Sequence, residues 1–502
     1  MTKPIPAELT GGHGPARNAM FSLIGQVVSA VFTTVLTLFL LRKLGPENYG
    51  VLALAVSAGT IALLISDFGI PSSAARFAAE DPRNRVRAAA ILRTALGLKV
   101  IASVVMTIGL VVLAPVIADA YDTPELTLPL RLIAIAVAAQ SIGGLFLSWF
   151  IGLGRISLNL RYAVVESSIE TGASIGLVLL GGGAAGAVGG RAIGFGVAAV
   201  FAAILAVRLV GVPALKESKK QRFPSRPIAR YGAVLVVTNG AFAILDRIDV
   251  LIIGAFLGTA PAGLFEAAVR ILTFLQYPGI AVGAGFGPRL AKSENSVPDV
   301  QTFKQSLRYT ILAYLLIAAP TLVWAEPIVR LLLGDAYAQS ASALQALTPA
   351  VVLMGIGQVL ATGVDYLGEA RRRIPVAISA LVVNVAIDLI LVPRIGITAG
   401  AVGSGVALAI YVGGHLRICH QALDVSFVDL LPTALRGLLG LASASLVLLA
   451  LGTGESLSPW AWVVGPLLAS VAYLTTLWLS REVSATELRR LLSHPARLLR
   501  RG

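Results

Sequence analysis

The chain has 502 residues, of which 56% are hydrophobic and only 13% charged, with a formal net charge of +14. Its mean hydropathy of +0.84 excludes an ordinary soluble domain and makes it a polytopic membrane protein. A single cysteine, Cys419, excludes an intramolecular disulfide and a cysteine-cluster metal site.

The first 18 residues lack a charged n-region followed by a short apolar run and a small-residue cleavage site, so the first apolar run is read as a retained helix. Runs of roughly 20 apolar residues, enough to span a bilayer, recur near 19–41, 49–70, 89–114, 128–151, 160–182 and 186–208. Six more follow near 231–257, 262–285, 309–333, 344–366, 374–393 and 398–418, and a last pair near 431–451 and 460–480. The expected fold is an all-α polytopic membrane protein with about 14 transmembrane helices. The 51 glycines sit largely within these runs, as close helix approach in lipid requires.

With a cytoplasmic N-terminus, 31 of the 40 Lys and Arg residues fall on inside segments and only 5 on outside ones. That asymmetry predicts both termini in the cytoplasm. It also accounts for the net charge without nucleic acid, leaving anionic membrane lipids as the expected partner of the basic segments. The tail from Arg481 to Gly502 has the composition of a basic amphipathic helix lying on the inner leaflet.

The second half of the chain repeats the first. At an offset of 213, Ala16-Arg17 meets Ala229-Arg230, Gln26 meets Asn239, Leu44-Gly45 meets Leu257-Gly258, Gly50 meets Gly263 and Arg76 meets Arg289. At 214, Leu153-Gly154 meets Leu367-Gly368, and 185–189 (AGAVG) meets 399–403. Asp119-Ala120-Tyr121 is echoed by Asp335-Ala336-Tyr337. An offset of six helices keeps both copies in one orientation, which predicts an N-lobe at 19–210 and a C-lobe at 231–420 around a central site. A basic cytoplasmic linker (211–230), two unpaired helices (421–480), an N-terminal tail (1–18) and a C-terminal tail (481–502) complete the division.

Three stretches carry a resemblance: Leu41 to Glu80, which opens LRKLGPENYG; Asp249 to Ile271, DVLIIGAFLGTAPAGLFEAAVRI; and Tyr366 to Ile410, which opens YLGEARRRIP. They resemble polysaccharide-biosynthesis flippases of the multidrug/oligosaccharidyl-lipid/polysaccharide exporter superfamily. The resemblance covers essentially the whole chain and implies the fold of the multidrug exporters and peptidoglycan-precursor flippases. It implies translocation of an undecaprenyl-diphosphate-linked oligosaccharide to the outer leaflet of a bacterial inner membrane by alternating access. Cell-surface polysaccharide synthesis would supply a polymerase and glycosyltransferases as partners. Two rivals share the superfamily, an ion-coupled multidrug exporter and a peptidoglycan-precursor exporter.

Charged residues inside the spans mark where such a carrier would work, because each costs at least ~2.5–3.5 kcal/mol at the bilayer centre. In the seventh and eighth spans, Asp249 and Arg270 are equidistant from a turn near Thr259-Ala260, and Glu266 is one helical turn from Arg270. These three are expected to form an inter-helix clamp or gate. Asp246 and Arg247 lie nearer the middle of the seventh span. In the first span Ser22, Gln26, Ser29, Thr33 and Thr37 form one polar stripe. The repeat maps Gln26 onto Asn239 and Thr33 onto Asp246, so Gln26, Thr33, Asn239 and Arg247 are the expected cargo contacts, Arg247 being suited to a diphosphate. The competing reading pairs Arg247 with Asp246 or Asp249 alone.

Glu166 and Glu170 share a face of the fifth span and, with Asp246, are the candidates for coupling to a proton or sodium ion. Lys99 is the expected structural partner of that glutamate pair. Asn384 takes the place of Glu170 in the second copy, Asp388 is a single further candidate in the eleventh span, and Asp365, Arg191 and Arg76 read as interfacial anchors. No cofactor is expected. The chain has no GxxxxGK[ST] loop and no HExxH, and His13, His415, His420 and His494 are scattered at positions expected to be cytoplasmic. An enzyme is therefore not expected. Outer connections under about 20 residues disfavour a membrane-embedded glycosyltransferase or polymerase.

Overall fold

The computed structural model describes residues 15–221, 223–276, 278–280, 282, 290, 299–454, 457–484 and 487. Among them the chain is a succession of α-helices: α1 (Pro15–Asp67), α2 (Ile70–Ala79), α3 (Arg85–Ala120), α4 (Thr127–Gly152), α5 (Ile156–Leu177), α6 (Gly183–Val210), α7 (Val212–Glu217) and α8 (Ser225–Leu257). They continue as α9 (Thr259–Phe274), α10 (Val300–Val323), α11 (Ala325–Leu333), α12 (Ser340–Ala346), α13 (Thr348–Tyr366), α14 (Arg373–Ile395), α15 (Thr398–Leu423), α16 (Leu430–Ala450) and α17 (Pro459–Leu479). Ten helical stretches among the described residues are long and apolar enough to cross a membrane, and two of these, Met20–Asp67 and Ile156–Val210, each hold two of the expected spans. Helices α8 and α9 follow the seventh and eighth runs. The protein is a multi-pass, all-α membrane protein.

Two predicted runs are split, the tenth, at 344–366, at Leu347 between α12 and α13. The ninth, at 309–333, breaks at Trp324 (φ −106, ψ 26), which ends α10 and starts α11. Pro327 lies in the first turn of α11, where a missing backbone N–H costs the helix nothing. The basic C-terminal tail expected to form an amphipathic helix lies outside the described residues beyond Ser484, apart from Glu487.

Paired positions of the repeat share backbone conformation. Gly45 (φ 71, ψ 171) interrupts α1 and Gly258 (φ 90, ψ −175) separates α8 from α9. Gly154 and Gly368 also take positive φ, 69° and 78°. Side-chain-bearing residues rarely adopt these angles.

The chain packs as two compact units, Met1–Gly263 and Leu264–Gly502. In the first, Gly50 and Gly263 form a reciprocal contact: a Cβ on Gly50 would lie 1.8 Å from the Thr259 carbonyl oxygen, and one on Gly263 would lie 2.0 Å from that of Pro46. Each glycine thus sits over the carbonyl four residues before the other. Trp149, Phe150, Phe146, Leu92 and Ala95 form the core of this unit, and Trp149 Nε1 donates to the Ala88 carbonyl at 3.2 Å. In lipid such cores are held by packing contacts and internal hydrogen bonds, because the surrounding acyl chains are as apolar as the side chains.

In the second unit, Phe303, Leu307, Leu360 and Cys419 form one cluster. Trp324 and Tyr473 anchor another, which ties α16 and α17, the helices without a counterpart in the repeat, to α10. Tyr473 Oη donates to the Leu312 carbonyl at 2.7 Å, and Trp324 Nε1 to that of Gly452 at 3.0 Å.

Just past α17, Glu482 receives Arg308 Nε (2.8 Å), Arg436 Nη1 (2.8 Å) and Thr433 Oγ1 (2.7 Å). Burial alone would push its carboxyl up, but these three donors outweigh burial and hold it below the ordinary range. Glu487 is held low by the Ser484 N–H and by Arg308. Both folded-state values lie below the unfolded value of about 4.3. Their stabilisation is therefore complete above that pH and is lost as pH falls through the lowered values. Glu482→Gln is expected to lower the melting temperature at pH 7 and to flatten the acid limb of its pH profile. A variant with the wild-type melting curve from pH 7 to pH 3 would contradict this.

Candidate functional site

The site is built on α5 and α6. Helix α6 carries Gly186, Gly190 and Gly194 at every fourth position, hence on one face. A Cβ at these glycines would lie 3.0 Å from the Leu177 carbonyl oxygen, 2.2 Å from Ser174 N and 2.6 Å from Glu170 Cβ. This close crossing presses Glu170 against α6, where Arg191 Nη1 donates to its Oε1 at 3.1 Å. The Arg191 guanidinium also lies 5.0 Å from the centre of the Phe195 ring. The carboxylate is the enclosed partner, with 13% side-chain exposure, and the cation the accessible one, with 31%.

Glu166 lies one turn before Glu170 on the same face. Ser167 Oγ donates to Glu166 Oε2 at 3.1 Å and stands 3.4 Å from Ser29 Oγ of α1. Two carboxylates, a guanidinium and two hydroxyls from three helices thus form one polar cluster inside hydrophobic spans. Such a cluster can exchange partners. An anion arriving at Arg191 competes with Glu170.

Of the expected polar stripe on α1, only Ser29 reaches this cluster. Gln26 is exposed and donates to Ser22 Oγ at 3.3 Å, and Thr33 is exposed. On α8, Arg247 Nε lies 3.2 Å from Asp246 Oδ2, with side-chain exposures of 17% and 54%. Asp249 is buried, and the Asn239 side chain lies outside the described residues. Glu266, also buried, pairs with Arg270 within α9, as its spacing predicts.

Several expectations need correction. Lys99 does not partner the glutamates of α5. It is fully buried, pairs with Asp67 and donates to the Ser66 carbonyl at 3.3 Å. Ser66 Oγ in turn lies 2.9 Å from Ser141 Oγ and 3.2 Å from Ser103 Oγ. Arg191 is not a peripheral anchor but the counter-ion of Glu170. The register rule applied to the seventh and eighth spans finds it, since Glu170 and Arg191 are equidistant from Leu180-Gly181. His415 is fully buried. Its Nε2 accepts from Arg373 Nε at 3.1 Å, and its Nδ1 lies 2.7 Å from the Tyr411 carbonyl oxygen. Arg373 also donates to Tyr411 Oη at 2.8 Å and Asp365 Oδ1 at 2.6 Å, so one guanidinium ties α13, α14 and α15 together. Arg76 stacks over the Tyr231 ring at 4.3 Å, consistent with an anchor. In the second unit Asn384 and Asp388 are fully buried on α14, both facing Gly403 of α15.

Comparison with known proteins agrees with this architecture. The family described as polysaccharide biosynthesis protein matches residues 16–286, and MatE matches 235–390. A Haloferax volcanii protein named a probable low-salt glycan biosynthesis flippase is 21% identical over 418 residues, covering 82% of this chain and 85% of its own. The succinoglycan biosynthesis transport protein ExoT of Rhizobium meliloti is 24% identical, over 68% of this chain and 69% of its own. Among solved structures, the lipid II flippase MurJ in an inward closed conformation aligns with a TM-score of 0.66 at 13% identity, over 92% of this chain and 99% of that one. An inward-facing multidrug resistance MATE transporter aligns with a TM-score of 0.64 at 18% identity, over 80% and 98%. At these identities the two structures bear on the fold alone.

Proposed function

Because the chain belongs to the polysaccharide biosynthesis protein family, we propose that it is a flippase for a lipid-linked oligosaccharide, carrying the sugar from the cytoplasmic to the outer leaflet of a bacterial inner membrane. It is a carrier and not an enzyme. Both termini face the cytoplasm, as the Lys and Arg asymmetry favours, and the polymerase and glycosyltransferases of the same polysaccharide pathway are its working partners.

The observation that carries this reading is the Glu170–Arg191 pair with Glu166 beside it. An arginine held beside a carboxylate within lipid keeps that partner until a stronger anion displaces it. A prenyl diphosphate is such an anion, since guanidinium binds phosphate oxygens in bidentate fashion. Displacement leaves Glu170 and Glu166 competing for one cation, and a proton taken up by the pair links cargo binding to an ion gradient. Arg247, beside Asp246, is a second point for the diphosphate. A carrier of this kind binds its cargo best in the state that exposes the site to the cytoplasm, and releases it by shifting the population of conformers.

The test is translocation of a fluorescent prenyl-diphosphate oligosaccharide by the purified protein in vesicles, with and without an imposed proton gradient. The expected result is protein-dependent transfer to the opposite leaflet, accelerated by the gradient and at least tenfold slower in Arg247→Ala. Transport of a cationic dye but not of the prenyl diphosphate would assign the chain to drug export.

A further inference from the structure

We propose that the second unit binds the phosphate-bearing headgroup of an anionic membrane lipid in a pocket at the starts of α10 and α16, separate from the cluster on α5 and α6. The pocket has a volume of about 450 Å³, within the ~300–1,000 Å³ typical of small-molecule sites. Lys304 and Arg308 reach it from the first turns of α10, Arg436 from α16 and Arg481 from just past α17; Asp429 and Glu482 are its acids. Glu487 also pairs with Arg308, at 3.2 Å, so four cations face three acids and the pocket keeps one net positive charge.

The charges are not all consumed by one another. Glu482, with 3% side-chain exposure, is already satisfied by Arg308, Arg436 and Thr433. Lys304 Nζ donates to Asp429 Oδ2 at 2.7 Å, but that carboxylate is 71% exposed, so the bond is readily exchanged. Arg481 makes no ion pair with any other described residue. The N-terminal ends of α10 and α16 add the positive ends of two helix dipoles.

Three features favour a lipid over a soluble anion. The pocket sits at the ends of membrane-crossing helices, the level at which headgroups lie. Below it, α16 and α17 turn outward large apolar side chains, Leu435 (55% exposed), Leu439 (60%) and Trp478 (51%), against which acyl chains can lie. The chain beyond Glu487 carries five more arginines, Arg489, Arg490, Arg497, Arg500 and Arg501, a composition that adds to the protein's attraction for an anionic surface.

The full-length protein, released from mixed phosphatidylglycerol and phosphatidylcholine vesicles, is to be analysed by native mass spectrometry. Wild type is expected to retain phosphatidylglycerol preferentially. Lys304→Gln combined with Arg481→Gln should reduce that retention by about fivefold per cation removed, and Asp429→Asn should increase it. The last variant separates binding from folding, because losing the Lys304 contact would loosen the pocket if Asp429 were merely structural. Equal retention of the two lipids, or a preference unchanged in the double variant and in Asp429→Asn, would overturn the proposal. Displacement of the lipid by millimolar inorganic phosphate would overturn the lipid assignment in favour of a soluble anion.

Discussion

Arg191→Leu is expected to reduce cargo translocation below about 1% of wild type and to lower the melting temperature of the purified protein. Removing one partner of an enclosed ion pair costs about 3–5 kcal/mol, and the partial exposure of Arg191 puts the effect near the lower end. Glu170 is then left in an apolar helix pair with only Glu166 and the nearby hydroxyls for company. The double variant Arg191→Leu with Glu170→Leu separates structure from transport. It removes both charges and is expected to regain most of the melting temperature while still failing to translocate. Wild-type translocation by the double variant would make the pair purely structural and move the cargo site elsewhere.

Gly50→Ala is expected to abolish accumulation of monodisperse protein. The added methyl would fall 1.8 Å from the Thr259 carbonyl oxygen. That neighbour is backbone and has no rotamer to change, so the cost exceeds the ~1–3 kcal/mol of ordinary overpacking. Gly97→Ala is the control: a Cβ there meets nothing within 4 Å, and it removes a poor helix former from α3, so it should be neutral or mildly stabilising. Fluorescence-detected size exclusion of both variants decides the matter, and a normal Gly50→Ala profile would show that the reciprocal contact is dispensable.

Much of the fold was legible because lipid leaves little choice. Backbone groups must be satisfied within a helix, so each apolar run of sufficient length becomes one. The breaks were legible where glycine supplies a positive φ, as at Gly45 and Gly258. The split at Trp324 was harder to read, because the residues on either side are as apolar as those of a continuous span. At the site, spacing alone placed Glu166 and Glu170 on one face and paired Glu266 with Arg270, since those are relations within a helix. Two partnerships between helices are not legible in this way. The sequence offers Lys99 to the glutamates, whereas the helix end at Asp67 takes it, and it presents Arg191 as an anchor because the distance from Glu170 in sequence hides their register across a glycine turn. His415 shows the same limit: its sequence neighbours do not reveal that Arg373 and Tyr411 enclose it.

The break at Gly45 has a mechanical consequence. Two membrane crossings follow one another in α1 with a single non-helical residue between them, and Pro46 fixes the next φ by its ring. A joint one residue long stores no slack. The outer ends of the two crossings cannot separate, so a shift of one along its axis at Gly45 is passed to the other, while the glycine leaves the angle between them as the adjustable quantity.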